Sequence, residues 1–305
     1  MKRMLKIVLI IVAIFVVYKI AKIAYLIINA DNIQVVPVDY TDTVSTGGDI
    51  EAKYLKKGIY EVSYMEKEAD ESIKKYEIYY PKNIKNENNK FPVVVFVNGS
   101  GVRGSRYKAL FEHLSSWGFV VVGNQEDTAF SGENANKTLE YVLSLNNDSN
   151  SVLYNKIDTD NIGITGHSQG GVGVMNAITN SKYAEIYKVA VTISPIPEES
   201  AKMIHWDYDP NKIDIPIMLL VGTNKDTLDV NQTNTLYSHI KSPKVMAMRS
   251  NTNHPDMLYS ADGYVTAWLM YYLKNDVEAG KAFLGEDAEI LNNNMYQNQK
   301  TDISE

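Results

Sequence analysis

Residues Phe91–Val97 are seven consecutive positions without one polar side chain. A run that short and that apolar constrains the chain more than any other feature, because a strand with one wet face alternates, whereas this one must be covered on both sides. Related runs recur at residues 119 to 122, 161 to 165, 189 to 193, 217 to 221 and 245 to 248, while 105 to 117, 134 to 145 and 263 to 273 carry helical spacing. Strand and helix therefore alternate, which predicts an α/β fold with a mostly parallel central sheet flanked by helices. Residues 58 to 64 and 73 to 80, rich in Tyr, Ile and Val, predict an antiparallel pair ahead of that sheet. The last helical stretch, 263 to 273, is expected to be amphipathic and to close the domain.

The chain has 305 residues. Setting aside its two ends leaves roughly 250, enough for one large domain with a substantial core. The expected division is an N-terminal segment at 1 to 30, a linker at 31 to 57, the folded domain at 58 to 290 and a polar tail at 291 to 305. A net charge of −7 argues against a nucleic-acid partner. The absence of cysteine excludes disulfides, thiolate metal sites and cysteine nucleophiles. No metal or organic cofactor is expected.

The N-terminus opens with Lys2, Arg3 and Lys6, runs uncharged from Ile7 to Tyr18 and stays apolar to Ile28, interrupted by Lys19 and Lys22. It reads as an export signal. Small residues are poorly placed for cleavage, which favours an uncleaved anchor over a signal peptide. Residues 4 to 28 would then form one spanning helix, and the basic start, held in the cytoplasm, would put the following domain outside the membrane. Secretion of a cleaved form is the alternative.

Chemistry concentrates at Gly166, His167, Ser168, Gln169 and Gly170, a G-x-S-x-G element directly after a strand and before a helix. In that setting the serine occupies a sharp turn that lifts its hydroxyl above the sheet, and the Gln169 amide at the helix start points at the same spot. The strand at 217 to 221 is followed by Asp226, and the strand at 245 to 248 by His254. The order Ser168, Asp226, His254 is that of a serine nucleophile, the acid that orients its base, and the base itself. Asp229 is a less well placed substitute for Asp226, and of the five histidines only His254 fits by chain order. A second oxyanion donor is expected from the loop after Val97, where the Ser100 amide is the candidate.

That same loop also spells G-x-G-x-x-G through Gly99, Gly101 and Gly104, with Glu126 at the distance of a ribose-binding acid. Dinucleotide binding is the weaker reading, because the loop follows the third predicted strand instead of the first and the ordered Ser, Asp and His would go unexplained.

Residues 141 to 146, 151 to 158 and 166 to 171, with Ile78, Tyr79, Tyr80, Pro81 and the run at 117 to 121, resemble the bacterial cutinase-like and polyester-hydrolase enzymes, dienelactone-hydrolase-related members of the α/β-hydrolase superfamily. The resemblance spans roughly residues 58 to 275, most specifically at the serine turn. It implies the α/β-hydrolase fold, ester hydrolysis, a triad at Ser168, Asp226 and His254, and an oxyanion hole at Ser100 and Gln169. Two aromatics of those enzymes are replaced here, by Ser100 after the loop glycine and by Ile196 after Pro195. Preference for aromatic polyesters is therefore not implied. The segment between the strands at 189 to 193 and 217 to 221 is too short for a cap domain, so an open groove with Ile196 or Trp206 on its rim is expected.

Together these readings predict a serine esterase acting on an ester at or near the cell envelope, whether small molecule, lipid or acylated envelope component. An acyltransferase using the same triad, or a non-catalytic binding module, are the rival classes.

Overall fold

The computed structural model describes residues 18–19, 33–180 and 182–303. Apart from Tyr18 and Lys19, the expected export helix lies outside the described residues. Among those residues no helix is long and apolar enough to cross a membrane.

Among the described residues nine strands form one sheet: β1 (Val62–Glu68), β2 (Lys75–Pro81), β3 (Phe91–Val97), β4 (Val120–Asn124), β5 (Ile157–His167), β6 (Tyr187–Ile193), β7 (Ile217–Gly222), β8 (Lys244–Arg249) and β9 (Tyr296–Asp302). Their spatial order is β1-β2-β4-β3-β5-β6-β7-β8-β9. From β4 to β8 every pairing is parallel, while β1, β2 and β9 run antiparallel to their neighbours. The expected leading hairpin is present as β1 and β2.

The apolar run of β3 is buried at all seven positions. Val94 and Phe96 face one core layer, and Val93, Val95 and Val97 the other, as the two-residue period of a strand requires. Burying side chains of this size is worth about 1.5–3 kcal/mol each. Among residues 33 to 303 the helices that connect or flank the strands are α1 (Tyr40–Thr43), α2 (Asp49–Leu55), α3 (Lys108–Ser116), α4 (Glu133–Asn147), α5 (Gln169–Asn180), α6 (Glu198–Met203), α7 (Val230–His239), α8 (His254–Ser260), α9 (Asp262–Lys274), α10 (Val277–Gly280) and α11 (Glu289–Asn292). Residues of α3 and α9 belong to the first layer, and residues of α4, α5 and α7 to the second.

Three expectations change. Residues 31 to 57 were expected as a linker, but in the described part Val36, Tyr40, Tyr54 and Leu55 are buried. Tyr40 donates to Asp262 Oδ2 at 2.6 Å, which ties α1 to α9. The helix α9, expected to be amphipathic, is buried on nearly every side because α2 covers its outer face, with Gly263 packed directly on the Glu51 backbone. The polar tail is a strand: β9 pairs with β8 and closes that edge of the sheet.

A buried cluster joins these late and early pieces. Arg249 Nη1 lies 2.9 Å from Glu51 Oε1 and donates to the Tyr296 hydroxyl at 2.8 Å, while Asn293 Nδ2 donates to Glu51 Oε2 at 2.8 Å. Both charged side chains are almost wholly excluded from solvent. Helix α2, strand β8 and strand β9 therefore share one ion pair.

Candidate active site

The chain leaves β5 at His167 and enters α5 at Gln169, so Ser168 alone makes the turn, at φ 61°. A serine in the left-handed region signals a constrained corner. Close approach explains the flanking glycines. A side chain on Gly166 would meet the Gly170 backbone, and one on Gly170 would be driven into the Val97 carbonyl of β3. The Ser168 amide donates to Ile193 O at 2.9 Å, pinning the corner to β6.

Two loops at the same sheet edge bring the partners. Asp226 follows β7, and His254 follows β8 as the first residue of α8, whose N-cap Asn253 accepts from Asp256 N. His254 Nδ1 is 2.8 Å from Asp226 Oδ1, and His254 Nε2 is 3.0 Å from Ser168 Oγ. With Nδ1–H donating to the carboxylate, Nε2 is left to accept from the serine hydroxyl.

Asp226 also receives Ser194 Oγ at 2.6 Å, the Thr227 amide at 2.6 Å and the Gly222 amide. Burial pushes this carboxyl upward, but the bonds from His254, Ser194, Gly222 and Thr227 outweigh burial and hold it below its ordinary range. It is therefore ionised at neutral pH. Sequence reasoning missed Ser194 and Thr227. The available signal was position, since Ser194 directly follows β6 at the edge where the other site residues gather.

The alternatives are engaged elsewhere. Asp229 is the N-cap of α7, accepting from Gln232 N at 2.8 Å in a reciprocal capping box. His113 is buried with Nδ1 2.6 Å from Asp262 Oδ2, His239 pairs with Glu198 at 2.9 Å, and His205 is solvent-exposed. Of the glycine-rich loop, Gly104 packs on the Asn124 carbonyl, so its lack of a side chain serves contact with β4. Glu126 is buried under the amide groups of Asn124 and Asn134, and burial pushes it up to about 7. Its carboxyl is not presented to a ribose.

His167 lies behind His254, with ring centroids 4.6 Å apart, and its Nε2 is 2.9 Å from the His254 carbonyl. Burial, then the neighbouring His254, pushes it down to about 4 from an ordinary 6.5. The ring is neutral at neutral pH and donates Nε2–H to that carbonyl, holding the start of α8. An unfolded chain takes up this proton near 6.5 and the folded one only near 4, so stability is lost as pH falls through that window. At 1.36 kcal/mol per pKa unit the loss is on the order of 3 kcal/mol. Thermal melts from pH 7 to pH 4 should show a shallower decline for His167→Gln than for the unaltered chain, and parallel declines would refute the assignment.

The loop after β3 is held on both sides of Ser100. Gly99 N–H donates to the Tyr107 hydroxyl at 3.0 Å, Gly101 N–H to Asp127 O at 3.2 Å, and Val102 N–H to Gly99 O at 3.1 Å. Among the described residues, nothing accepts from the Ser100 or Gln169 amide. The Gln169 side chain is turned away, accepting from Ala129 N at 2.8 Å.

A cleft of about 230 Å³ opens beside Ser168 and His254, walled by Val35, Val102, Tyr107, Pro255 and Leu258. Neither residue expected on its rim lines it. Trp206 stacks on Phe130 at 5.4 Å, and the Ile196 carbonyl accepts from Tyr208 at 2.8 Å. The apolar walls come from Val35, from the segment after β3 and from α8, all distant in sequence from Ile196 and Trp206.

A parallel sheet with serine on the turn after β5, acid after β7 and histidine after β8 is the layout of an α/β-hydrolase. More narrowly, the chain belongs to the PET hydrolase-like family, whose sequence model matches residues 45–301. It is similar to the cutinases est2 and est1 of Thermobifida alba, each 26% identical over 212 residues. That stretch is 65% of this chain, and 64% and 65% of those relatives, so the chain spans less than two thirds of their length. Cutinase 2 of Thermobifida cellulosilytica is 25% identical over 212 residues, 73% of its length.

Proposed function

We propose that this chain is a carboxylic-ester hydrolase that works through an acyl-enzyme. The observation that carries the reading is the unbroken hydrogen-bonded line from Ser168 through His254 to Asp226 at the edge of the cleft. Ser168 Oγ attacks the ester carbonyl as His254 Nε2 takes its proton, and the Ser100 and Gln169 amides receive the developing oxyanion. His254 then protonates the leaving alkoxide, which departs as the alcohol. Water, deprotonated by His254, attacks the Ser168 ester; the acid leaves and the serine regains its proton. Asp226, ionised throughout, stabilises the imidazolium formed in each half. The names of the similar Thermobifida proteins support the class of reaction, and with aromatics replaced at Ser100 and Ile196 a preference for aromatic polyesters does not carry over.

A fluorophosphonate probe is expected to form one adduct, on Ser168, and to abolish hydrolysis of a nitrophenyl ester in proportion to labelling. Turnover that survives complete labelling would overturn the reading. Analysis of products with acceptor alcohols present separates hydrolysis from acyl transfer.

Placement is part of the proposal. The basic start and apolar run of residues 2 to 28 support an anchor with the domain on the extracytoplasmic side. Protease added to intact cells should remove the domain from the membrane fraction. Protection until the cytoplasmic side is exposed would reverse the orientation, and a soluble mature form would replace the anchor by a cleaved signal.

A further inference from the structure

We infer that the strap of residues 33 to 36 walls the substrate cleft through Val35, and that Val35 makes the enzyme select short acyl chains. The inference rests on the esterase reading above and adds the acyl preference of the site. Val35 lines the same cleft as Ser168 and His254. The adjacent Val36 is fully buried and does the anchoring. This division lets Val35 face a ligand while its neighbour holds the strap down.

The strap is fixed at several points to the segment that starts α3. Val35 N–H donates to Arg106 O at 3.0 Å, Gln34 Nε2 donates to Ser105 O at 3.0 Å, and Gln34 Oε1 accepts from Lys108 N at 3.2 Å. Arg106 Nε donates to Ile33 O at 2.7 Å. Further along, the buried Tyr40 ring lies 5.9 Å from Tyr259 of α8, the helix that carries His254 and the opposing wall residue Leu258. A wall tied at so many points does not yield to a longer acyl chain as a loose loop would.

Size points the same way. A cleft of about 230 Å³ falls below the roughly 300–1,000 Å³ of pockets that enclose drug-sized ligands. Its side walls of Val, Leu, Pro and Tyr take hydrocarbon, not sugar or charge. Residues 33 to 36 also precede the region matched by the family, 45–301, so this wall is built from chain that the family does not define.

The test uses the full chain in detergent micelles with nitrophenyl acetate, butyrate and octanoate. One methylene in an apolar pocket discriminates by about tenfold or more. Val35→Ala is therefore expected to raise the octanoate-to-acetate ratio of kcat/KM by about tenfold, and Val35→Trp to lower the butyrate-to-acetate ratio by about tenfold. Val38→Ala, on an exposed side chain outside the cleft, should leave both ratios unchanged. Rates of labelling by short-alkyl and long-alkyl fluorophosphonates should follow the same order, which keeps the test readable if one variant folds poorly. Unaltered acyl profiles in Val35 variants that still label at Ser168 would overturn the inference alone. Absence of Ser168 labelling in the unaltered chain would instead overturn the esterase reading.

Discussion

On the proposed mechanism Ser168→Ala is expected to lower ester turnover by roughly 10⁴- to 10⁶-fold, the range for removing a triad nucleophile. The hydroxyl is the group that His254 Nε2 faces at 3.0 Å. The corner itself is held by Ser168 N–H to Ile193 O and by the glycines on either side, none of which needs the hydroxyl. The variant should therefore fold, melt within a few degrees of the unaltered chain, and still present the Ser100 and Gln169 amides. Steady-state assay with a nitrophenyl ester checks this, and a residual rate above about one hundredth would place the nucleophile elsewhere.

The largest effect on stability is expected at Arg249. In Arg249→Met the aliphatic bulk is kept, but the Glu51 carboxylate stays buried and loses its cation. Breaking one side of a buried pair typically costs about 3–5 kcal/mol. For a domain of this size each kcal/mol moves the midpoint by about 2–4 °C, so a fall of roughly 10 °C is expected. Combining Arg249→Met with Glu51→Gln should recover part of the loss, since the stranded charge is then gone. A midpoint within 2 °C of the original in the single variant would show that the pair contributes little.

The sheet was legible because its strands are covered on both faces: β3 and β7 advertise themselves as unbroken apolar runs, and each has every residue buried. The same clarity marks the strand ends, so Ser168, Asp226 and His254 could be nominated from where strands stop. What escaped has physical reasons. Helices α1 and α2 have four and seven residues, too few turns for a periodic signal, and their stabilising partners lie far along the chain, as Glu51 does from Arg249. Strand β9 reads as Tyr, Gln, Asn, Gln, Lys, Thr, Asp, because an edge strand is held by backbone pairing and needs few apolar side chains. The cleft walls were invisible for a third reason: Val35, Tyr107 and Leu258 become neighbours only after the chain has folded.

The junction of Glu51, Arg249 and Tyr296 sets an order on biosynthesis. A ribosome makes the α2 segment well before β9, and domains generally fold as units. Until Tyr296 has been added, Glu51 lacks the donor that lies 2.6 Å from it and the β8 edge has no covering strand. The chain is thus kept from locking prematurely, since α2 waits for β9. A chain that stops before Tyr296 would leave that lock open in every copy made.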